Sequence, residues 1–290
     1  MYLPQEILSA KVLITVKTYP LPSSKYEELV CTAGLLETGE WIRIYPVPFR
    51  SLPFEAQYKK YNWVELNLER NISDFRPESY SPKRRFDEPI KAIGSIGTEN
   101  QWAERKRIVL KEVHTSMTDL IEIAKSDQQK SLATLKPAEI IDFVVEEDER
   151  EWKQEWQNQF QQLSLFDSNK NEGKPREIVR KVPYKYSYLF LSSGDSKPRK
   201  LMIEDWEIGA LYWNCLGRTE GDETAANELV RRKYFDEFVA KKDLYLFLGT
   251  TKQWHNVSPN PFIIIGVFYP PKVSEPPSKN DDEPTQLTLF

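Results

Sequence analysis

Histidine is nearly missing from this 290-residue chain: only His114 and His255 occur, beside two cysteines, Cys31 and Cys215. A four-ligand zinc finger would need all four, and their spacing is wrong for one. Two cysteines make no disulfide framework, and Cys31, inside an apolar run, reads as a buried structural thiol. No motif such as G-x-S-x-G supports a Ser–His–Asp or Cys–His catalyst. Glycine is also scarce, at 11 residues, and no Gly-rich phosphate loop is present. Nothing approaches 18 consecutive apolar residues, so no transmembrane helix is expected. The stretch MYLPQEILSAKVLITVKTYP lacks the basic and continuously apolar regions of a signal peptide. The expectation from these absences is a cytoplasmic protein with no membrane contact, no resident cofactor and no nucleotide-driven machinery.

What is present is a folded, globular composition, 40% hydrophobic and 12% aromatic. KVLITVKTYP alternates as a strand does, and ELVCTAGLLETGEWIRIYPVPFR reads as a hairpin that turns at Glu37–Glu40. NWVELNLER adds another alternating strand, so the first 70 residues read as a twisted antiparallel sheet. Residues 71–97 have prolines, serines and charges without periodicity and read as loop. A helix is expected over TENQWAERKRIVLKEVHTSMTDLIEIAKSDQQ, with Trp102, Ile108, Val109, Val113 and Leu120 on one face. A short helix and a strand at Ile140–Val145 follow. After a Gln/Asn/Lys/Glu-rich stretch, VPYKYSYLFLSS, DLYLFLGTT and FIIIGVFYP read as strands. MIEDWEIGALYWNCL and DETAANELVRRKYFDEFVAKK read as helices, the second capped by Asp222. The expected class is α+β: an antiparallel β-rich, barrel-like N-terminal part and a smaller α+β C-terminal part. The expected divisions are 1–149, a linker over 150–181, a second domain over 182–273, and a tail over 274–290.

The net charge of −4 argues against a general nucleic-acid coat, but the charge is unevenly spread. Acids concentrate at VVEEDEREWKQE and SKNDDEPT, and bases at SPKRRF, ERKR and KPREIVRK. Arg76, Lys83, Arg84, Arg85, Arg105, Lys106 and Arg107 are therefore the candidate phosphate contacts. Phe75, Tyr80 and Phe86 are candidates for stacking on unpaired bases.

One pentapeptide pattern occurs twice, QLSLF at Gln162–Phe166 and QLTLF at Gln286–Phe290, both in polar surroundings. Two leucines and a phenylalanine on a polar leash make a compact apolar anchor, and the glutamine amide adds directional hydrogen bonds. Average residue usage puts one such pentapeptide in roughly one chain in a thousand of this length, and two copies are far rarer. The pattern resembles the motif by which bacterial polymerases and mismatch-repair proteins attach to the DNA sliding clamp. That resemblance implies clamp contacts through Gln162, Leu163, Leu165 and Phe166, and through Gln286, Leu287, Leu289 and Phe290. Separately, CTAG…GEWIRIYPVPFR and DLYLFLGTT…NPFIIIGVFYP are similar to an uncharacterised group of bacterial and mobile-element proteins.

The first functional expectation is a clamp-associated DNA-binding accessory protein in repair, replication or defence against mobile DNA, with the sliding clamp and DNA as partners. One alternative is a clamp-recruited nuclease or DNA-modifying enzyme. Only this reading needs a divalent metal, near Glu204, Asp205 and Glu207 or near Glu78, with His255 as a conceivable acid–base group. Another is a clamp blocker without DNA contact. Catalytic activity is left open by the residues.

Overall fold

In the computed structural model the described residues are 3–23, 27–47, 49, 57–83, 90–154 and 179–272, with residues 21–23 and 27–29 described by backbone alone. Both copies of the pentapeptide, together with Arg84, Arg85 and Phe86, lie outside them.

The N-terminal part is a barrel. Strands β1 (Glu6–Lys17), β3 (Glu27–Leu36), β4 (Trp41–Val47), β6 (Ser79–Pro82) and β5 (Asn62–Arg70) neighbour one another in that order. Strand β5 returns to β1 and closes the ring, in which only the β4–β6 pair is parallel. A short β2 (Leu21–Ser23) adds to β3, and β7 (Lys91–Ser95) adds to β5. The alternation along the strands explains the closure. Val12, Ile14, Val30, Ile42, Ile44, Val64 and Leu68 fill the interior, while Leu13, Val16, Ala33, Leu35 and Trp41 belong to a second apolar cluster. A strand buried on both faces shows a continuous apolar run, as Val12–Ile14 does within the otherwise alternating β1.

The second cluster is completed by the rest of the chain. It takes in Ile108 and Val109 of α1 (Glu99–Val109) and Leu132 of β8 (Leu132–Leu135). It also takes in Phe247 of β12 (Tyr245–Thr250), and Ile265 and Phe268 of β13 (Phe262–Phe268). Strands β13, β12 and β8 form one sheet. A second sheet orders β11 (Arg199–Met202), β10 (Tyr184–Leu191) and β9 (Glu139–Glu147), and a bridge between Ile203 and Ile264 joins the two. Helices α2 (Met117–Lys125), α3 (Trp206–Arg218) and α4 (Glu223–Arg231) pack on this α+β part through Leu120, Tyr212 and Val230. Helix α4 runs on through a π-helical turn, Arg232–Glu237, into α5 (Phe238–Lys241). Ser116, Asp205 and Asp222 accept bonds from the first-turn amides of α2, α3 and α4. No helix among the described residues is long and apolar enough to cross a membrane.

The chain is thus α+β with a β-rich, barrel-forming N-terminal part, but several expected boundaries move. Strands β8 and β9, expected within the first division, hydrogen-bond to β12 and β10 of the later one. The long helix expected after Thr98 is two helices, because His114 bridges to Leu135 between them. The short helix expected near residue 133 is strand β8. The stretch read as loop supplies β6, the strand that closes the barrel. Helix α3 buries Ile208, Gly209, Tyr212 and Cys215; Trp206 and Trp213 stand at the edges of that face.

Residues 155–178, which carry the first pentapeptide, connect two neighbouring antiparallel strands. Their flanks are tied together: the Asp148 amide donates to the Pro183 carbonyl at 2.9 Å, and the Trp152 indole donates to the Val179 carbonyl at 2.7 Å.

Gly34 sets the spacing of β1 and β3, since a Cβ there would run into the Leu13 carbonyl oxygen, a backbone atom. Gly34→Ala is expected to destabilise the protein by roughly 1–3 kcal/mol. Gly94→Ala, where a Cβ meets nothing within 4 Å, is the control and should leave the denaturation midpoint unchanged.

Candidate functional site

The densest polar chemistry lies where the barrel meets the second part. In β4, Ile42 and Ile44 point into the barrel, so Arg43 between them must leave it on the other side, into protein and not water. Its Nη1 donates to Ser79 Oγ at 3.1 Å and Ser131 Oγ at 2.8 Å, and its Nη2 to the carbonyls of Ser131 and Thr250 at 3.2 and 3.4 Å. Glu78 accepts from the Ser131 amide and hydroxyl at 3.0 and 2.8 Å. Arg76 pairs with Asp74 at 2.6 Å and donates to the Thr250 carbonyl. His255, fully buried, lies 2.7 Å from the Thr250 hydroxyl and 2.8 Å from the Ala124 carbonyl. A carbonyl only accepts, so Nε2 carries the proton and Nδ1 accepts from the hydroxyl. Burial lowers the ring's pKa from the ordinary 6.5; the Ala124 bond opposes this and the Arg76 charge adds to it.

A cleft of about 450 Å³ opens beside this network, walled by Trp41 and Leu132 and edged by Glu40, Glu78, Glu112 and Lys130. Lys130 bonds Glu112 at 2.5 Å. Glu40 Oε2 is buried there without a partner among the described residues.

A second ionic tie crosses the junction farther along. Lys60, just before β5, donates to both oxygens of Asp205 at 2.9 and 2.8 Å and meets Glu207 at 3.0 Å. Burial alone would lower the Lys60 pKa; the two carboxylates outweigh it and raise it to about 12. Burial pushes the Asp205 carboxyl up, while Lys60 and the Glu207 amide hold it ionised at neutral pH. Lys17 lies over the rings of Phe49 at 4.4 Å and Trp206 at 5.3 Å, and burial with the nearby Lys60 charge lowers its pKa to about 8.

The expected site residues are dispersed by this arrangement. Arg76, expected on an exposed loop, is buried on Asp74 and Thr250. Arg105 donates to the Ile96 carbonyl at 3.0 and 2.8 Å and stacks on Tyr61 at 3.8 Å. Lys83 and Arg107 are exposed and pair with Glu6 and Glu104, both at 2.6 Å; Lys106 is half-buried. Tyr80, a candidate stacker, is fully buried in the barrel and donates its hydroxyl to the Pro4 carbonyl at 2.6 Å. Phe75 is exposed. The carboxylates considered for a metal already have partners: Lys60 holds Asp205 and Glu207, and Ser131 holds Glu78. Glu204 precedes helix α3, so it shares no helical face with Glu207. Among the described residues no group of three or more His, Cys, Asp or Glu side chains is placed to hold a metal ion. His255, with both nitrogens engaged and no exposure, is a structural residue in this fold.

Sequence reasoning missed Arg43, Lys60 and Ser131. The one available signal was Arg43 itself, a lone charge in the otherwise apolar run WIRIYPV.

These features define a closed barrel joined to an α+β part by buried arginine hydrogen bonds and one buried ionic cluster. Residues 113–289 match the family model described as Domain of unknown function (DUF8757), and the chain belongs to that family. Residues 8–111 match the model of a second, Domain of unknown function (DUF8758). A comparison with curated proteins found no match.

Asp205→Ala removes the buried partner of Lys60, leaving it only the half-exposed Glu207, and removes the α3 cap. It should cost roughly 2–4 kcal/mol. The double variant with Lys60→Met is expected to cost less than the sum of the single changes, as read from chemical denaturation; strict additivity would mean the pair is not coupled. His255 is expected to stay neutral as pH falls through 6.5, where the unfolded chain's histidine takes up a proton. Stability should therefore fall with pH below about 6.5. With only two histidines in the chain, NMR titration reads this directly, and a His255 resonance that titrates at or above 6.5 would contradict it.

Proposed function

We propose that this protein is a DNA-binding accessory factor recruited to the bacterial sliding clamp, acting in the cytoplasm in repair, replication or defence against mobile DNA. The observation that carries the reading is the repeated pentapeptide, Gln162–Phe166 and Gln286–Phe290. The position of the first copy supports it. In the chain, residues 155–178 fall between β9 and β10, which pair with each other and whose flanks are joined by the Trp152–Val179 bond. The strand pairing on either side therefore does not depend on the pentapeptide.

Among the described residues, DNA contact would fall to the exposed Lys83 and Arg107 and the half-buried Lys106; Arg84 and Arg85 are further candidates by sequence. Surface pairs such as Lys83–Glu6 and Arg107–Glu104 are worth little, so these cations can exchange their carboxylates for phosphates. Five-stranded barrels include oligonucleotide-binding modules such as the partly open OB-fold, a likeness of architecture alone.

The clamp has more than one identical pocket. A chain with two peptide ligands therefore gains effective concentration for the second contact, raising avidity by ~10²–10⁴ where both engage. Binding of the intact protein to purified clamp is the test. Phe166→Ala and Phe290→Ala should each weaken it by up to that factor, and the double variant should lose it. Absence of binding by the unaltered protein would sink the proposal.

A further inference from the structure

Two loops meet at the rim of the junction: residues 71–78 between β5 and β6, and residues 251–261 between β12 and β13. Underneath, they are fixed by ionic and polar bonds. Arg76, in the first loop, reaches the Thr250 carbonyl at the start of the second. The Phe75 ring meets the edge of buried His255 at a centroid distance of 5.3 Å. Above that floor the loops expose large apolar side chains: Ile72 is 98% exposed, Val257 70%, Trp254 52% and Phe75 38%. Single exposed apolar residues are ordinary, but a group of them on rigidly held loops marks a binding surface.

The charge of this rim narrows what it binds. The chain has 44 acidic residues, yet neither loop turns one outward. Asp74 is folded back on Arg76 and Glu78 on Ser131, and residues 251–261 contain no acid at all. Lys252 is exposed beside Trp254. The exposed acids of the neighbouring α2 end, Glu122 and Asp127, flank Ala124 beneath His255. Two loops with aromatic faces, one exposed cation and no outward carboxylate of their own suit a polyanion whose apolar faces are accessible. Unpaired nucleobases meet that description, since they stack on Trp and Phe while their phosphates need freedom from negative charge. A double helix keeps its base faces inside its own stack.

We propose that Phe75 and Trp254 form a stacking platform for the unpaired bases of a single-stranded nucleic acid. The proposal rests on the reading of the protein as a DNA-binding factor and specifies the form of nucleic acid it holds. Trp254 comes from the second part of the chain and Phe75 from the barrel, so the platform exists only because the Arg43 and Arg76 networks join them.

The test is fluorescence anisotropy with labelled oligo(dT), oligo(U) and a duplex of equal length, using the full chain without clamp. Phe75→Ala and Trp254→Ala should each weaken oligonucleotide binding by about 5- to 150-fold, the range for loss of one base–aromatic stack, while Trp254→Phe keeps most of it. The ratio of oligo(dT) to oligo(U) affinity tells DNA from RNA as the source of the bases. The Trp254 variants should melt close to the wild type, and Phe75→Ala somewhat lower because its ring also packs on His255. Binding by Phe75→Ala is therefore measured well below its melting temperature, with the fold checked by circular dichroism. Unchanged affinity in both alanine variants would overturn the platform and leave the DNA reading standing if duplex or oligonucleotide still binds. Failure of every nucleic acid to bind would remove both. Clamp binding by the same variants, measured in parallel, keeps the recruitment reading separate, and an effect of Trp254→Ala on clamp binding alone would make the rim a protein surface and overturn the platform.

Discussion

The fold turns on one guanidinium. Arg43 cannot return to the barrel interior, because the pleat of β4 commits its neighbours Ile42 and Ile44 to that side. It emerges into a layer from which water is excluded. A charge so placed is tolerated only where every donor finds an acceptor. Those acceptors come from β6, from the residue before β8 and from the end of β12. One side chain therefore demands that three elements, far apart in sequence, arrive together in one geometry. Apolar packing of Leu13, Trp41, Phe247 and Phe268 supplies the driving force for the junction, and Arg43 with its partners supplies the register.

Lys60 and Asp205 repeat the device at the other end of the junction, and the repetition decides what the neighbouring acids can do. A cluster of Glu204, Asp205 and Glu207 looks in sequence like the makings of a cation site. In the folded chain the cation is built in, as the ammonium of Lys60, and Asp205 also caps a helix. Charge that would signal chemistry is largely consumed by architecture. Among the described residues, what stays available is peripheral: the cleft edged by Glu40 and Lys130 and the rim carrying Phe75 and Trp254.

This division also explains how much could be read from the chain. Strands β1, β3, β4, β12 and β13 are long, rich in Val, Ile and Leu, and bounded by turn residues, so their periodicity is legible. The cap at Asp222 is legible for the same local reason; that at Asp205, which reads as a carboxylate within the helical stretch, is not. Strand β6 is not: SYSP has no pattern of its own and becomes a strand because β4 and β5 offer it partners. Strand β8, LATL, is short enough to pass for a helical turn. The pairings of β8 and β9 are hidden for the same reason, since their partners β12 and β10 lie across long stretches of chain. Burial of Arg76 and Tyr80 was equally hidden, because it depends on Thr250 and Pro4, distant in sequence. The pentapeptide is legible for the opposite reason, being a linear signal that needs no tertiary context.

The seam between the two family models falls near Glu112, yet the physics places no seam there. A chain containing only residues 8–111 would present Leu13, Ala33, Leu35 and Trp41 to solvent along with an unsatisfied Arg43. A chain containing only residues 113–289 would present Leu132, Phe247 and Phe268, and leave the Ser131 and Thr250 carbonyls without their donor. Two modules that sequence comparison treats as separable are thus one cooperative unit, and inheritance of either by itself would leave a protein with half an interior.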